Sequence, residues 1–311
     1  MIEWFKDGLV DDVRLKLFEC REKGLRAALA TIIAADGGPR PVGSQMVVVG
    51  DRLWGFLSGG CIEADVALNA QRVLENGEPL RLIYGHGSPF IDMRLPCGGR
   101  IDVLVERIEP TDPAIAELQR LWQARKPARW RSDGVCRECC PDAVEIGVEE
   151  LSVASLRYDP AWRLLVIGDD PFAIAVAALG QITGFETTLL APFASDGEPP
   201  FDLTVDRREL ATALDDSMPD AWTAAILATH DTDLDEEALK HLLRSEAGYI
   251  GVLGARRRIP ERMQRLLDAG FSDEEIARIH MPLGLPIRAQ SAWEVAISAI
   301  GEVIANRRAT S

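Results

Sequence analysis

The chain has 311 residues, and its hydrophobic fraction of 47% is enough for two domains, each with its own apolar core. Its 49 acidic and 34 basic residues give a net charge of -15 at pH 7, which excludes a broad surface for binding nucleic-acid phosphates. The first residues are acidic where a signal peptide is basic, and no apolar run is long enough to span a membrane, so we expect a cytoplasmic protein without nucleic-acid or membrane partners.

The sequence of residues 1–109 predicts an α/β domain. A helix is predicted over residues 13–23 from the spacing of its apolar side chains. A second helix is predicted to end at Gly77, and Gly50 with Asp51 predicts a hairpin turn between two strands. Short runs of apolar and β-branched residues predict strands at 27–34, 44–50, 52–58, 80–85 and 100–108.

Residues 110–160 change in character, with one helical stretch followed by polar residues and a cysteine cluster, and are interpreted as a connector. In residues 161–311, strand patterns alternate with helix patterns. Such alternation predicts a parallel, doubly wound sheet of the Rossmann type with right-handed crossovers. The predicted strands are 163–168, 186–191, 224–231 and 249–254, and the predicted helices are 172–184, 235–244, 256–270 and 292–307.

Two cysteines lie beside paired glycines in the first domain. Cys61 follows Gly59 and Gly60 at a strand-to-helix junction, where free amides and the helix dipole favour an anion and a thiolate. Cys97 precedes a second glycine pair at the start of a strand. The alternative is that both are small buried apolar side chains beside turns. Arg40, in a loop stiffened by two prolines, is a candidate phosphate ligand, although a lone loop arginine is often only solvated.

The other cysteine group is Cys136, Cys139 and Cys140 in the connector. A C-x-x-C-C sequence is compatible with zinc binding or with a redox disulfide. A structural zinc site takes four ligands, however, and no histidine lies nearby in the sequence. We therefore interpret this group as non-essential, with redox sensitivity as the alternative.

The predicted Rossmann-like half departs from the usual dinucleotide pattern. Gly168 is present after the first strand, but Asp169, Asp170 and Pro171 stand where a second glycine and free amides would contact a pyrophosphate. The second strand ends in Ala191 instead of the acid that holds the ribose. Binding of NAD(P) is therefore doubtful, and capping of the next helix is the expected role of the two aspartates.

Three polar residues, Thr229, His230 and Asp231, close the segment 224–231 at the carboxyl end of its predicted strand. His230 is placed to contact a ligand or move a proton at the carboxyl end of the sheet, with Asp231 nearby to orient it. Alternatively, Asp231 only opens the loop, and Asp233 or Asp235 caps the helix that follows. Gly251 and Gly254 flank the end of the next strand, and Arg256 to Arg258 open the following helix, where a phosphate would meet both amides and cations.

Five segments in this order, SGGCIEADV, PCGGRIDVLVE, ATHDTDLD, YIGVLGARRR and PLGLPIRAQSAWEVAISAIGEVIANR, resemble the XdhC/CoxI family of accessory proteins for molybdenum hydroxylases. The resemblance implies an N-terminal XdhC/CoxI domain and a C-terminal Rossmann-like domain. It also implies a protein that binds molybdenum cofactor, protects it during sulfuration and inserts it into the target apoenzyme. A homodimer, a molybdenum hydroxylase partner and a cysteine desulfurase partner are expected on the same ground.

With this resemblance, Cys61 and Cys97 are candidate thiolates for transferred sulfur, and Cys61 is a candidate ligand for the molybdenum of the bound cofactor, as molybdopterin or its dinucleotide form. The candidate cofactor-binding residues are Arg40, Gly59, Gly60, Cys61, Gly168, His230, Asp231, Gly254 and Arg256. Two other functions remain open. One is an NAD(P)-dependent oxidoreductase, and the other is a sulfur carrier that receives a persulfide on Cys61.

Overall fold

A computed structural model of the chain describes residues 9–38, 40–88, 95, 98–143, 154–254 and 256–309. The chain divides into two compact units, residues 1–160 and 161–311. None of the helices in the described ranges is long and apolar enough to cross a membrane. Cys97, the second candidate thiolate, lies outside the described residues.

The first unit is built on a five-stranded antiparallel sheet of order β3-β2-β1-β5-β4, beside a three-stranded antiparallel sheet of order β7-β6-β8. Its elements in chain order are α1 (Arg14–Glu22), β1 (Ala27–Asp36), β2 (Gln45–Val49), β3 (Arg52–Gly55), α2 (Glu63–Asn76), β4 (Leu80–Gly85), β5 (Arg100–Ile108), α3 (Pro113–Gln123), β6 (Ala128–Ser132), β7 (Arg137–Pro141) and β8 (Ala154–Tyr158).

The two faces of the larger sheet pack against different layers. Helix α2 covers one face through Val66, Ala70 and Val73, which are fully buried. The other face packs on α1, α3 and the small sheet in a second cluster that includes Trp130. The predicted end of α2 is confirmed, because Gly77 adopts the left-handed conformation (φ 78°) that closes a helix.

The described part of residues 110–160, interpreted from the sequence as a connector, is folded onto the first unit. It contains α3 and the small sheet. Arg137 ties this region to the larger sheet, because its Nε lies 2.6 Å from Glu106 Oε2 on β5 and its Nη1 lies 2.7 Å from Asp112 Oδ2. The arginine and glutamate side chains are 7% and 0% exposed. A buried ion pair of this kind makes the region part of the unit's interior.

The second unit contains a six-stranded parallel sheet of order β11-β10-β9-β12-β13-β14, which is the 3-2-1-4-5-6 order of dinucleotide-binding folds. The predicted parallel, doubly wound fold is confirmed. Its elements are β9 (Arg163–Ile167), α4 (Pro171–Ile182), β10 (Glu186–Leu190), β11 (Val205–Asp206), α5 (Leu210–Ser217), β12 (Thr223–Leu227), α6 (Thr232–Arg244), β13 (Tyr249–Val252), α7 (Ile259–Asp268), α8 (Asp273–Ile276), β14 (Ile279–His280) and α9 (Ala292–Ala309).

Helices cover both faces of this sheet, with α4 and α9 on one side and α5, α6 and α7 on the other. Helix α9 packs through Ala296, Ile300 and Val303. Ile297 of the same helix is 55% exposed. The strand order reverses between β9 and β12, and this reversal opens a crevice at their carboxyl ends, where ligands bind in such folds.

Candidate functional site

The Cys61 corner follows β3 and leads into α2. Gly59, Gly60 and Cys61 are all exposed, and a β-carbon added at either glycine would meet no atom within 4 Å. The corner is therefore open on its outer side. The alternative that Cys61 is a small buried apolar side chain does not fit this exposure.

Glu63, in the first turn of α2, fixes this corner from inside. Its side chain is fully buried, and its Oε1 accepts hydrogen bonds from the amides of Leu57 (3.0 Å) and Ser58 (2.6 Å). Its Oε2 accepts from the Ser58 hydroxyl (2.7 Å) and from the Ile62 amide (3.2 Å). Four donors from one loop thus converge on a single carboxylate. The sequence signal was a glutamate in the first helical turn after a Ser-Gly-Gly loop.

The amides of the corner are engaged as well. The Cys61 amide donates to the Ser58 hydroxyl oxygen at 3.0 Å, and the Ile62 amide is held by Glu63. The expectation that free amides here would bind an anion does not hold for these two groups. What the corner presents outward is the thiol of Cys61.

Arg40 lies against the same loop. Its guanidinium carbon is 4.1 Å from the centroid of the Phe56 ring, and its Nη2 donates to Asp11 Oδ1 at 2.6 Å. Its Nε is buried and has no hydrogen-bond partner among the described residues. The arginine is therefore not a freely solvated side chain. The loop that carries it begins at Gly37, which packs against Gly99, the last glycine of the Cys97 corner.

The cysteine group of the small sheet offers little for ligation. Cys136 is exposed, whereas Cys139 and Cys140 are half-buried. Burial raises the pKa of the Cys139 thiol to about 12 and also raises the pKa of Cys140, so thiolate chemistry is disfavoured at both. No group of histidine, cysteine, aspartate and glutamate side chains in the described parts of the chain is placed to hold a metal ion.

In the second unit, Gly168 follows β9 at the reversal of strand order. Its φ is 139°, and a β-carbon there would lie 2.3 Å from the carbonyl oxygen of Ala228, at the end of β12. Only glycine fits this close approach. Asp170 caps α4, as predicted, because its Oδ1 accepts from the Ala173 amide at 2.8 Å.

His230 pairs with an aspartate distant in sequence. Its Nε2 lies 3.1 Å from Asp170 Oδ2, and the histidine side chain is 83% exposed. Asp231, expected to orient the histidine or to open the loop, instead caps α6 by accepting from the amides of Asp233 (2.9 Å) and Leu234 (3.1 Å). The partner of His230 is therefore Asp170, in the turn between β9 and α4, and not the adjacent Asp231.

The loop that presents His230 is held by a buried polar group. The Thr229 hydroxyl donates to Asp235 Oδ1 at 2.8 Å and accepts from the Asp231 amide at 3.1 Å. Asp235 also pairs with Arg262 of α7, and the two side chains are 4% and 11% exposed. Burial raises the pKa of Asp235, against the opposing effects of Thr229 and Arg262. His230 thus projects from a loop that is fastened beneath it.

Two clefts flank His230 at the carboxyl edge of the sheet. Asp170, Ala228, Thr229 and His230 line both of them. The smaller cleft, of about 180 Å³, extends towards the end of β10. The larger, of about 390 Å³, extends towards β13 and α9. The further lining residues of the smaller cleft are Gly168, Asp169, Ala191, Pro192, Phe193, Asp231 and Leu234, and those of the larger are Phe172, Leu253, Gly254, Arg257, Arg258, Arg262 and Val295.

The predicted residues of the second unit thus line the two clefts in different numbers. Gly168, His230 and Asp231 come together at the smaller cleft, and His230 and Gly254 at the larger. Arg256 lies in the same turn as Gly254 but lines neither cleft, whereas Arg257 and Arg258, which belong to the same predicted run of cations, line the larger one. The tight turn over Arg256–Arg258 decides which arginine faces the cleft.

Comparison with known proteins identifies both halves of the chain. The model of the XdhC and CoxI family matches residues 20–85, and that of the XdhC Rossmann domain matches residues 164–303. The molybdenum cofactor insertion chaperone PaoD of Escherichia coli (strain K12) is 33% identical, in an alignment covering 96% of this chain and 90% of PaoD. A probable xanthine dehydrogenase subunit of Bacillus subtilis (strain 168) is 26% identical, over 91% of this chain and 93% of that protein.

The crystal structure of a xanthine dehydrogenase from Bacillus halodurans has the same fold, with a TM-score of 0.77 over 96% of both chains at 24% identity. A protein of this fold has therefore already been solved by crystallography. Together with the matches to both domains and to PaoD over nearly the whole length, this leads to one conclusion. The chain belongs to the XdhC and CoxI family.

Proposed function

We propose that this protein binds molybdenum cofactor as its cargo, protects it during sulfuration and delivers it to a molybdenum hydroxylase of the xanthine dehydrogenase type. The observation that carries the proposal is the 33% identity, over nearly the full length of both chains, to a protein named as a molybdenum cofactor insertion chaperone. In this role the chain holds and transfers its cargo and needs no turnover of its own.

The Cys61 corner supports the proposal with chemistry that suits the cargo. Thiolate sulfur is a preferred ligand for soft metals and is also the group that accepts a transferred sulfur atom. Cys61 is exposed, and the two glycines before it leave open space on its outer side. Glu63 holds the loop in place from within. The corner therefore offers one accessible thiol in a fixed position, on the loop whose Phe56 ring stacks with Arg40.

The partners and the form of the cargo follow from the proposed role. The receiving partner is a molybdenum hydroxylase apoenzyme, and the sulfur donor is a cysteine desulfurase. Both the simple pterin and a dinucleotide form of the cofactor remain candidates for the cargo. We also propose that the protein acts as a homodimer.

An NAD(P)-dependent oxidoreductase is the second candidate function, because the order of the parallel strands is that of dinucleotide-binding folds. The first turn opposes this function. Asp170 occupies an amide of α4 with its own carboxylate, and Pro171 has no amide hydrogen to donate to a pyrophosphate. A titration in which NADPH fluorescence reports binding would have to show that NADPH binds before this function could replace the chaperone function.

A sulfur carrier is the third candidate and overlaps with the first. In this function the Cys61 thiolate attacks the outer sulfur of a desulfurase persulfide, the desulfurase thiol is released, and Cys61 carries the persulfide. The exposure of Cys61 favours this step. Mass spectrometry of the peptide containing Cys61, after incubation with a desulfurase and cysteine, would detect an added sulfur atom.

The cargo proposal is tested by mixing the purified protein with molybdenum cofactor and measuring the molybdenum that remains bound after gel filtration. We expect the wild type to retain it and Cys61→Ser to retain less. Cys136→Ser is the matched control, because Cys136 is also an exposed thiol but lies in the turn between β6 and β7. No retention by the wild type would contradict the proposal, and equal retention by all three proteins would remove Cys61 from the site.

A further inference from the structure

The usual phosphate position of this fold, at the start of α4, is occupied by the protein itself. Asp170 Oδ1 accepts from the Ala173 amide, and Asp170 Oδ2 lies 3.1 Å from His230 Nε2. Pro171, at the first helical position, has no amide hydrogen. A phosphate placed there would meet a carboxylate in place of donors. This end of the crevice is therefore unsuited to an anion.

The other end of the crevice has the opposite charge. In the described part of the chain, the larger cleft is lined by three arginines, Arg257, Arg258 and Arg262, and by one carboxylate, that of Asp170, which His230 faces. Arg262 is paired with the buried Asp235. Among the described residues, neither Arg257 nor Arg258 forms an ion pair, and both are exposed. In a chain whose net charge is -15, two uncompensated arginines at one cleft are a local exception.

Apart from Thr229 and His230, the remaining side chains that line the larger cleft are apolar. Phe172, Leu253 and Val295 line it beside the arginines, and its volume is about 390 Å³. An apolar wall next to two cations suits a ligand that has a flat ring at one end and a phosphate at the other. Inorganic phosphate alone would leave the apolar wall unused.

We infer that the larger cleft binds the phosphate or diphosphate of a ring-bearing ligand through Arg257 and Arg258. The anion site of this fold has thus moved from the turn between β9 and α4 to the turn between β13 and α7. Asp170 keeps anions away from the first position, and the arginines attract them to the second. The inference rests on the proposed function only for the identity of the natural ligand, which would be the phosphorylated pterin or its nucleotide.

Calorimetric titration with inorganic phosphate, pyrophosphate and cytidine diphosphate tests this site. We expect pyrophosphate to bind, cytidine diphosphate to bind more tightly because its ring contacts the apolar wall, and binding to weaken as salt is raised. Replacing both arginines, as Arg257→Gln with Arg258→Gln, should weaken pyrophosphate binding about tenfold or more, because two charge-assisted hydrogen bonds are lost.

Two single substitutions serve as controls, one expected to leave pyrophosphate binding nearly unchanged and one expected to tighten it. Arg256→Gln removes the same charge from the same turn but not from the cleft, and it should change the dissociation constant less than about twofold. Asp170→Asn keeps a side-chain oxygen to cap α4 but removes the negative charge, and it should tighten pyrophosphate binding by about two- to threefold.

The outcomes separate this inference from the proposed function. Absence of pyrophosphate and diphosphate binding to the wild type, or undiminished binding to the double variant, would overturn the inference. Equal weakening by Arg256→Gln and by each of Arg257→Gln and Arg258→Gln would overturn it too, since only net charge would then matter. Molybdenum retention is measured on the same preparations. Retention without pyrophosphate binding leaves the chaperone function in place, and pyrophosphate binding without retention leaves the anion site in place.

Discussion

The role assigned to Glu63 can be tested by the substitution Glu63→Gln. The carboxylate accepts four hydrogen bonds at 2.6 to 3.2 Å from Leu57, Ser58 and Ile62. A glutamine oxygen can still accept from two amides, but its amino group would face the Ile62 amide and the Ser58 hydroxyl, which are themselves donors. One or two charge-assisted hydrogen bonds are lost, at about 1.5–3 kcal/mol each, so we expect a destabilisation of about 3 kcal/mol.

The expected effect is local and can be measured at the loop itself. A loss of about 3 kcal/mol corresponds to opening that is roughly 100-fold more frequent, so the amides of residues 57–62 should exchange their hydrogens correspondingly faster. The rate at which Cys61 is alkylated, measured by peptide mapping, should also change. Glu75→Gln is the matched control, because Glu75 is an exposed residue of the same helix. Exchange rates and stability equal to those of the wild type in Glu63→Gln would refute the idea that this carboxylate fixes the corner.

Three further substitutions test the framework around the sites. Arg137→Met leaves Glu106 buried without its cation and should destabilise the first unit by about 3–5 kcal/mol in urea unfolding; a value below about 1 kcal/mol would show that the pair is not part of the interior. The hydrogen bond from Arg100, with a further one from Arg81, lowers the pKa of Asp102, so its stabilisation is present above the unfolded pKa and is lost as pH falls through the folded value. Asp102→Asn should therefore lower stability at pH 7 and flatten its decline as pH falls from about 4, the unfolded pKa, through the lower folded value, and an unchanged decline would argue against the pairing. Gly168→Ala brings a methyl group against the Ala228 carbonyl and should cost about 1–3 kcal/mol in thermal unfolding, with no loss if the backbone yields.

The fold was largely predictable where side-chain periodicity is strong. The predicted strands 80–85 and 100–108 coincide with β4 and β5, and the alternation in the second half led directly to its parallel sheet. The small sheet of the first unit was missed because β7 reads RECCP, in which charged and cysteine side chains hide the alternation of a strand. Strands β11 and β14 have only two residues each, too few for a periodic pattern to show.

The candidate sites were predictable only in part. The sequence pointed to Cys61 and His230 because both follow predicted strands, and both are exposed in the structure, Cys61 in the loop between β3 and α2 and His230 in the loop between β12 and α6. The partner of His230 lies 60 positions earlier in the chain, so only the neighbouring positions of β9 and β12 bring Asp170 to it. The choice of Arg257 and Arg258 over Arg256 depends on the direction of each side chain in a tight turn, which sequence spacing does not determine.

The four hydrogen bonds to Glu63 have a consequence for how the cargo is handled. A loop that is already ordered loses little conformational entropy when a ligand binds, so little of the binding free energy is consumed in ordering it. The same rigidity prevents the loop from folding over the ligand as a lid. In the proposed chaperone, the Cys61 corner would therefore act as an open platform, and the exclusion of water from the cargo would have to come from another surface.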